Sequence, residues 1–225
     1  IFDARYERVR QAGQLVDCAV LVAIGVTASG HRRVLGVSVA LSEAEVHWRT
    51  FLDGLIQRGL RGVKYIASDD HAGLKAARKA MFPGVPWQRC QFHLQQNAGH
   101  LVTKQELKSV IASQIAAIFN AESRSHAHER LCTFLQTWRD KQPKLVAWAE
   151  DNLPEGFSVF DLPEAHRRKL RTSNACETLN SQIKRRTRVV GLFPSEESLQ
   201  RLVTAVLVEI SDAWESGKSY LKSKD

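Results

Sequence analysis

The chain has 225 residues and a net charge of +8, with 44% hydrophobic and 25% charged residues. This composition is typical of a globular protein and excludes a disordered tail, a collagen-like chain and a coiled-coil rod. No stretch reaches the roughly 18 consecutive apolar residues that a membrane helix requires, and the four cysteines form no dense disulfide framework. We therefore expect a reduced, cytoplasmic protein with no membrane partner.

The N-terminal part of the chain has the pattern of antiparallel strands followed by a helix. Three runs rich in β-branched residues predict strands over residues 3–10, 15–27 and 33–41. Ser42 has the side chain of a helix cap, and apolar residues at helical spacing predict a helix over residues 43–58. Gly59 is expected to end this helix.

Shorter strands and helices alternate after this point. The pattern predicts a strand at 63–67, a helix at 73–81, a strand at 85–90 and a further helix from Gln91. Strand–helix–strand alternation after antiparallel strands favours an α/β fold with a mixed sheet and flanking helices.

Residues 101–164 interrupt this alternation. Their apolar residues recur at helical spacing and prolines punctuate them, which predicts an all-helical insertion. Two more helices are predicted beyond it, at 174–188 and 196–214. The chain is therefore predicted to divide into a first core segment at 1–100, the insertion, and C-terminal helices at 165–225 that complete the core.

A basic block lies at residues 165–188, which hold eight Lys and Arg residues against one acid. The bases are Arg167, Arg168, Lys169, Arg171, Lys184, Arg185, Arg186 and Arg188. Such a concentration of positive charge favours a polyanion partner, with nucleic acid first, and a solvated helix face is the open alternative.

Three acids have positions that suit chemistry. Asp3 lies in the first strand, Asp69 lies where a strand ends, and Glu177 lies near the start of the basic helix. Carboxylates are hard ligands for Mg²⁺ or Mn²⁺, and three of them that converge can hold two ions for phosphodiester chemistry. Each acid also has an ordinary interpretation. On that interpretation, Asp3 is a polar residue at a frayed terminus, Asp69 is a turn or helix-cap residue, and Glu177 completes a capping box.

Two further features have open interpretations. Cys90 and His93 have the spacing of half a zinc site, but no second pair completes it, so a buried polar pair near the predicted site is favoured. Trp148 is either a core residue or a stacking platform for an unpaired base.

Five motifs occur in an order and spacing that resemble a known family. They are Asp3-Ala4-Arg5-Tyr6, Ser68-Asp69-Asp70-His71-Ala72-Gly73-Leu74, Trp87-Gln88-Arg89-Cys90-Gln91-Phe92-His93, Asn174-Ala175-Cys176-Glu177-Thr178-Leu179-Asn180, and Lys184-Arg185-Arg186-Thr187-Arg188. In this arrangement the chain resembles the Mutator-type transposases of bacterial insertion sequences. The resemblance runs from Asp3 to about Leu221.

This resemblance implies a ribonuclease H-like catalytic core that is interrupted by a helical insertion. It implies that Asp3, Asp69 and Glu177 form the catalytic triad and bind two divalent ions, Mg²⁺ or Mn²⁺. Asp69 is chosen over Asp70 because the family's acid directly follows the serine. Cys90 and His93 match the family's C-x₂-H signature and are expected to support the active site.

The resemblance also implies the partners. Arg171, Lys184, Arg185, Arg186 and Arg188 are expected to contact DNA, and the chain is expected to act as a homo-oligomer on paired element ends and on target DNA. Two alternatives stay open, namely another nuclease on the same fold and a truncated remnant that only binds DNA. The family's N-terminal DNA-binding region does not precede Asp3, and Thr178 stands where arginine is more common.

Overall fold

The computed structural model describes residues 1–221, so the last four residues of the predicted segment 165–225 lie outside it. The strands are β1 (Phe2–Gln11), β2 (Gln14–Val26), β3 (Arg32–Ala40), β4 (Ile66–Ser68) and β5 (Trp87–Arg89). The helices are α1 (Glu45–Gln57), α2 (Ala72–Met81), α3 (Gln91–Leu101), α4 (Gln105–Phe119), α5 (Arg124–Trp138), α6 (Pro143–Asn152), α7 (Glu164–Leu170), α8 (Asn174–Val190) and α9 (Glu196–Ser216). The predicted α/β class is confirmed.

The chain forms two compact units. The first unit combines residues 1–85 with the described residues from Ser173 onward, and the second unit comprises Pro86–Thr172. The predicted helical insertion at 101–164 lies inside the second unit, which also contains β5, α3 and α7. The exact domain boundaries stay a prediction.

An antiparallel sheet in the order β1-β2-β3 forms the centre of the first unit. Its middle strand is buried from Cys18 to Ile24, and Asp3 on β1 lies opposite Val22. Strand β4 contacts β1 but lies outside this hydrogen-bonded sheet. The hydrogen-bonded sheet around β1 is therefore three-stranded and antiparallel, and the mixed sheet that the sequence favoured is not formed there.

The two faces of β1 contact different helices, because successive residues of a strand point to opposite sides. Phe2 contacts Trp48 of α1, with 6.4 Å between the ring centroids, whereas Asp3 bonds to Asn180 of α8. The apolar sides of α8 and α9 cover the sheet with buried residues that include Leu179, Ile183, Leu199 and Val203. Burial of this kind is the main stabilising contribution to the first unit.

Helix α1 begins later than predicted. Its N-cap residue is Ala44, and Ser42 instead accepts a hydrogen bond from the Ala44 amide at 3.3 Å, so the predicted cap is wrong. The turn formed by this bond delays the helix. The backbone of Glu43 lies so close to α2 that a Cβ on Gly73 would be 2.0 Å from the Glu43 carbonyl oxygen. Only glycine permits this approach.

The second unit is a set of helices around an apolar core. Fully buried members of the core include Ile115, Leu145 and Phe157, and Trp138 is buried as well. Trp148 packs partly against this core, in agreement with the simpler of its two interpretations. Within the described residues 1–221, no helix has both the length and the apolar character needed to cross a membrane.

Candidate active site

Asp3 is held by a side chain from α8. The side chain of Asp3 is half-buried, and its Oδ2 atom accepts a hydrogen bond from Asn180 Nδ2 at 2.7 Å. A hydrogen bond to a carboxylate is stronger than one between neutral groups and restricts the orientation of the carboxylate. The structure therefore places the first predicted acid against the N-terminal half of α8.

A second polar contact joins the same strand and helix. Arg5 forms an ion pair with Glu7 at 2.6 Å and donates to the Asn180 carbonyl oxygen, while Thr187 donates to Glu7 Oε1 at 2.9 Å. The Arg5 and Glu7 side chains are only 16% and 15% exposed. Solvent screens this pair weakly, and its hydrogen bonds to Asn180 and Thr187 help to fix α8 against β1.

Glu177 lies one helical turn before Asn180. Helix α8 has Ser173 as its N-cap residue and no side-chain cap, so the capping box suggested for Asn174 and Glu177 is not formed. The Oε1 atom of Glu177 is buried and accepts no hydrogen bond, and the same holds for Asn180 Oδ1. Buried oxygen atoms in native proteins normally have a partner, so this pair has unused capacity to bind a donor or a cation.

Asp69 directly follows β4, at the end of a strand where functional groups are common in α/β proteins. Its Oδ1 atom accepts a hydrogen bond from the Asp70 amide at 2.7 Å, so the suggested role in the turn is real. Asp70 is engaged by Lys75 at 2.9 Å, and α2 begins after His71 with no side-chain cap. The N-cap residue of α2 is therefore His71 and neither of the two acids.

Glu43 is an acid near Asp69 that sequence reasoning missed. Its side chain is 15% exposed, and its Oε2 atom is 3.8 Å from His71 Nδ1. Burial raises the pKa of Glu43, His71 lowers it, and the Asp69 carboxylate raises it again. A hydrogen bond from Tyr6 of β1 opposes this rise. No local sequence pattern identifies Glu43, because its contacts come from distant parts of the chain.

The packing of the secondary structure brings the elements that carry the three predicted acids together. Strand β1 contacts both β4 and α8. Within residues 1–221, however, no three His, Cys, Asp or Glu side chains form a group that could hold a metal ion. The elements therefore converge, but the carboxylates of Asp3, Asp69 and Glu177 do not form a closed cluster.

Cys90 and His93 belong to the second unit. Cys90 is buried at the N-cap position of α3, where its carbonyl oxygen accepts the Leu94 amide at 3.0 Å. His93 is half-buried on α3, and its ring centroid lies 5.6 Å from that of Phe92. Their supporting role in the active site stays a prediction.

The predicted basic block is divided between the two units. Lys184, Arg185, Arg186 and Arg188 are exposed on α8 of the first unit, and Arg186 lies 3.9 Å from Glu209 of α9. Arg171 and the bases of α7 belong to the second unit. The bases of a block that is continuous in sequence are therefore carried by two different units.

The first unit combines half-buried acids with an exposed cationic helix, and such a concentration of positive charge favours a polyanion partner. The profile of the family described as "Transposase, Mutator family" matches residues 1–217. The chain belongs to this family, which confirms the resemblance noted from its motifs.

Several transposases are similar to the chain. It is 57% identical over 219 residues to the transposase of insertion sequence element IS406 from Burkholderia multivorans, covering 97% of this chain and 56% of that protein. It is 38% identical over 226 residues to the transposase of ISRM5 from Rhizobium meliloti, covering 100% of this chain and 56% of that protein. The transposase of IS1081 from Mycobacterium tuberculosis is 36% identical over 222 residues, which is 97% of this chain and 52% of that protein. The chain thus spans about half the length of these relatives.

Proposed function

We propose that this chain is the catalytic part of an insertion-sequence transposase and that it cleaves and joins DNA strands by phosphoryl transfer. We further propose that its α/β unit is a ribonuclease H-like fold with Asp3, Asp69 and Glu177 as the catalytic acids. Family membership and the transposase relatives support the class of function. The arrangement of α8 supports the assignment of residues.

The observation that carries the proposal is the polar arrangement on α8. Glu177 Oε1 is buried without a hydrogen bond, one turn before the asparagine that holds Asp3. The same helix exposes Lys184 and Arg188, which follow Glu177 by about two and three turns and so share its side. A phosphate backbone bound by these bases would lie along the helix that carries the acid.

The donor set fits a divalent cation in its chemistry. Three carboxylates are hard oxygen ligands suited to Mg²⁺ or Mn²⁺, and Glu177 Oε1 has no hydrogen bond to give up. Asp3, Asp69 and Glu177 would hold the two ions that the family resemblance implies. When bound, such ions activate a hydroxyl nucleophile and stabilise the leaving oxygen of a phosphodiester.

The chain's own residues would prepare the site for this reaction. Asn180 orients the Asp3 carboxylate, and the Arg5–Glu7 pair fixes β1 against α8. The exposed bases of α8 would position the DNA backbone for attack by water, which gives cleavage, or by a DNA 3′-hydroxyl, which gives strand transfer. Phosphate contacts position a nucleic acid without reading its sequence, so binding should depend strongly on salt.

The partners belong to the same proposal. The DNA would comprise the ends of the element and the target. The family resemblance implies two metal ions and a homo-oligomer that acts on paired ends. Recognition of the element ends would fall mainly to the family's N-terminal DNA-binding region, as the family resemblance implies.

A nicking assay on supercoiled DNA with Mg²⁺ or Mn²⁺ tests the proposal. Asp69→Asn and Glu177→Gln should each reduce nicking about a thousandfold or more, because metal-assisted stabilisation of charge contributes several kcal/mol to the transition state. Asp70→Asn is the matched control, since it removes a neighbouring carboxylate that pairs with Lys75, and it should retain most activity.

Two results would contradict parts of the proposal. If Asp70→Asn abolishes nicking and Asp69→Asn does not, the assignment of the second acid is wrong. If the wild-type chain binds DNA in a salt-dependent way but does not nick it with either metal, the chain is a DNA-binding remnant and not a catalytic domain.

A further inference from the structure

The second unit has a hollow that the proposed active site does not use. It has a volume of about 780 Å³, and α7, the end of α4 and the turn at Ser158–Asp161 form its walls. We name it the arginine hollow after Arg167, Arg168 and Arg171, which line it together with Asn120 and Phe160. Three guanidinium groups in one concave surface suggest an anionic ligand.

Arg167 is fixed in place without being neutralised. Its guanidinium donates to three backbone carbonyl oxygens, those of Leu162 at 2.9 Å, Glu122 at 2.8 Å and Phe160 at 3.0 Å. Carbonyl oxygens are neutral acceptors, so these bonds hold the planar group without compensating its charge. The result is a positive charge with a fixed position in the wall of the hollow.

The other two arginines also lack a carboxylate partner in the part of the chain that the structure describes. Arg171 donates to the neutral side-chain oxygen of Asn120 at 2.5 Å, and Arg168 is exposed and forms no ion pair. Glu122 lines the hollow, but its carboxylate is 86% exposed and lies 3.7 Å from His126. Glu164 also lines the hollow, but within the described residues neither glutamate forms an ion pair with the three arginines.

Arginines elsewhere in the same unit differ in this respect. Arg89 pairs with Glu155 at 2.9 Å, and Arg124 pairs with Asp161 at 2.6 Å. The second unit thus supplies carboxylates to other arginines but not to the three that line the hollow. This difference points to a ligand that brings its own negative charge.

We propose that the arginine hollow binds a phosphodiester group of the DNA backbone, as a phosphate site separate from the basic surface of α8. The forked guanidinium matches the geometry of phosphate oxygens and favours it over a single carboxylate. This inference rests on the proposed function, because DNA is the polyanion that the function supplies.

The salt dependence of DNA binding tests the inference with the full chain. We would measure the dissociation constant of a DNA duplex against KCl concentration for Arg168→Gln, Arg171→Gln and the double variant. Loss of one phosphate contact should reduce the slope of log affinity against log salt by about 1, so the double variant should lose about 1 and each single variant part of it. Arg168 has no hydrogen bond or ion pair to lose, so its substitution leaves the fold intact. Arg167 is not substituted, because its guanidinium donates to three backbone carbonyl oxygens.

Arg139→Gln is the matched control. Arg139 is an exposed arginine of the same unit that does not line the hollow, so its substitution should change the slope by much less than 1. If the wild-type chain binds DNA with a steep salt slope and neither Arg168→Gln nor the double variant changes it beyond the control, the inference is overturned while the proposed function stands. If the wild-type chain binds no DNA at any salt concentration, the proposed function fails and this inference fails with it.

Discussion

The two units of the chain present opposite chemistry at their polar sites. In the first unit, oxygen atoms of Glu177 and Asn180 are buried without a hydrogen-bond donor. In the second unit, the guanidinium groups of Arg167, Arg168 and Arg171 form no ion pair with a carboxylate of the described residues 1–221. The first arrangement favours a cation and the second favours an anion. The groups that lack a partner of opposite charge in each unit therefore indicate the sign of the charge on the ligand that the unit favours.

The two units are alike in how they are stabilised. Each buries a continuous apolar cluster, and the fully buried Leu145 of the second unit has a counterpart in Leu179 of the first. Because burial of apolar side chains stabilises both units, their polar sites can contain groups that lack a hydrogen bond or an ion pair. The predictions below separate stability, which the units share, from chemistry, in which they differ.

Removal of a core side chain should have the largest effect on stability. Leu145→Ala and Leu179→Ala should each lower the free energy of unfolding by about 2–5 kcal/mol, because each leaves a cavity. Denaturant unfolding measures this loss. Under conditions where both variants are folded, only Leu179→Ala should also reduce nicking, because α8 carries Glu177 and Asn180.

The exposed Val110 provides the control for this comparison. Val110→Ala should change the free energy of unfolding by about 0.5 kcal/mol or less. If Leu145→Ala loses as much nicking activity as Leu179→Ala, the two cores do not differ in their influence on the chemistry.

Loss of the group that orients Asp3 should have an intermediate effect. Asn180→Ala removes the 2.7 Å hydrogen bond to Asp3 and should reduce metal affinity or nicking about 10–100-fold, as is usual for groups that orient a metal ligand. The metal concentration for half-maximal nicking should rise, which a purely structural defect would not cause. Ser181→Ala changes the exposed neighbouring residue and should behave as wild type. An unchanged metal requirement in Asn180→Ala would contradict the role of Asn180.

The smallest effect concerns the pH dependence of stability. The pKa of Glu43 is raised in the folded protein, chiefly by burial. A carboxyl group whose pKa is higher in the folded than in the unfolded state stabilises the folded state at pH values below its unfolded pKa. This contribution is lost as the pH rises through its folded pKa. Glu43→Gln should therefore raise Tm relative to wild type more at pH 7 than at pH 4. A difference in Tm that is the same at both pH values would contradict this interpretation.

Much of the fold could be predicted because local patterns decided it. Runs rich in β-branched residues predicted β1 to β3, and the sequence also predicted the helices α8 and α9. The start of α1 was predicted wrongly, since Ser42 forms a turn with Ala44 and not a cap. A capping side chain is a local signal with several uses, and the surrounding structure selects among them.

The candidate site could be predicted only in part. Asp3, Asp69 and Glu177 stood out by position and by resemblance to a family, and the packing of β1 against β4 and α8 is consistent with that choice. Glu43 and the contact between Asn180 and Asp3 gave no sequence signal, because each depends on residues that are distant in the chain.

The sequence by itself determined the class of protein, the order of the elements and the strongly basic segment, because these depend on composition, periodicity and motif spacing. Only the tertiary structure decided that this segment is divided between two units, that Asn180 of α8 holds Asp3, and that three arginines line one hollow. The physical reason is that charge and hydrogen-bond satisfaction depend on distances between atoms, and chain folding sets those distances.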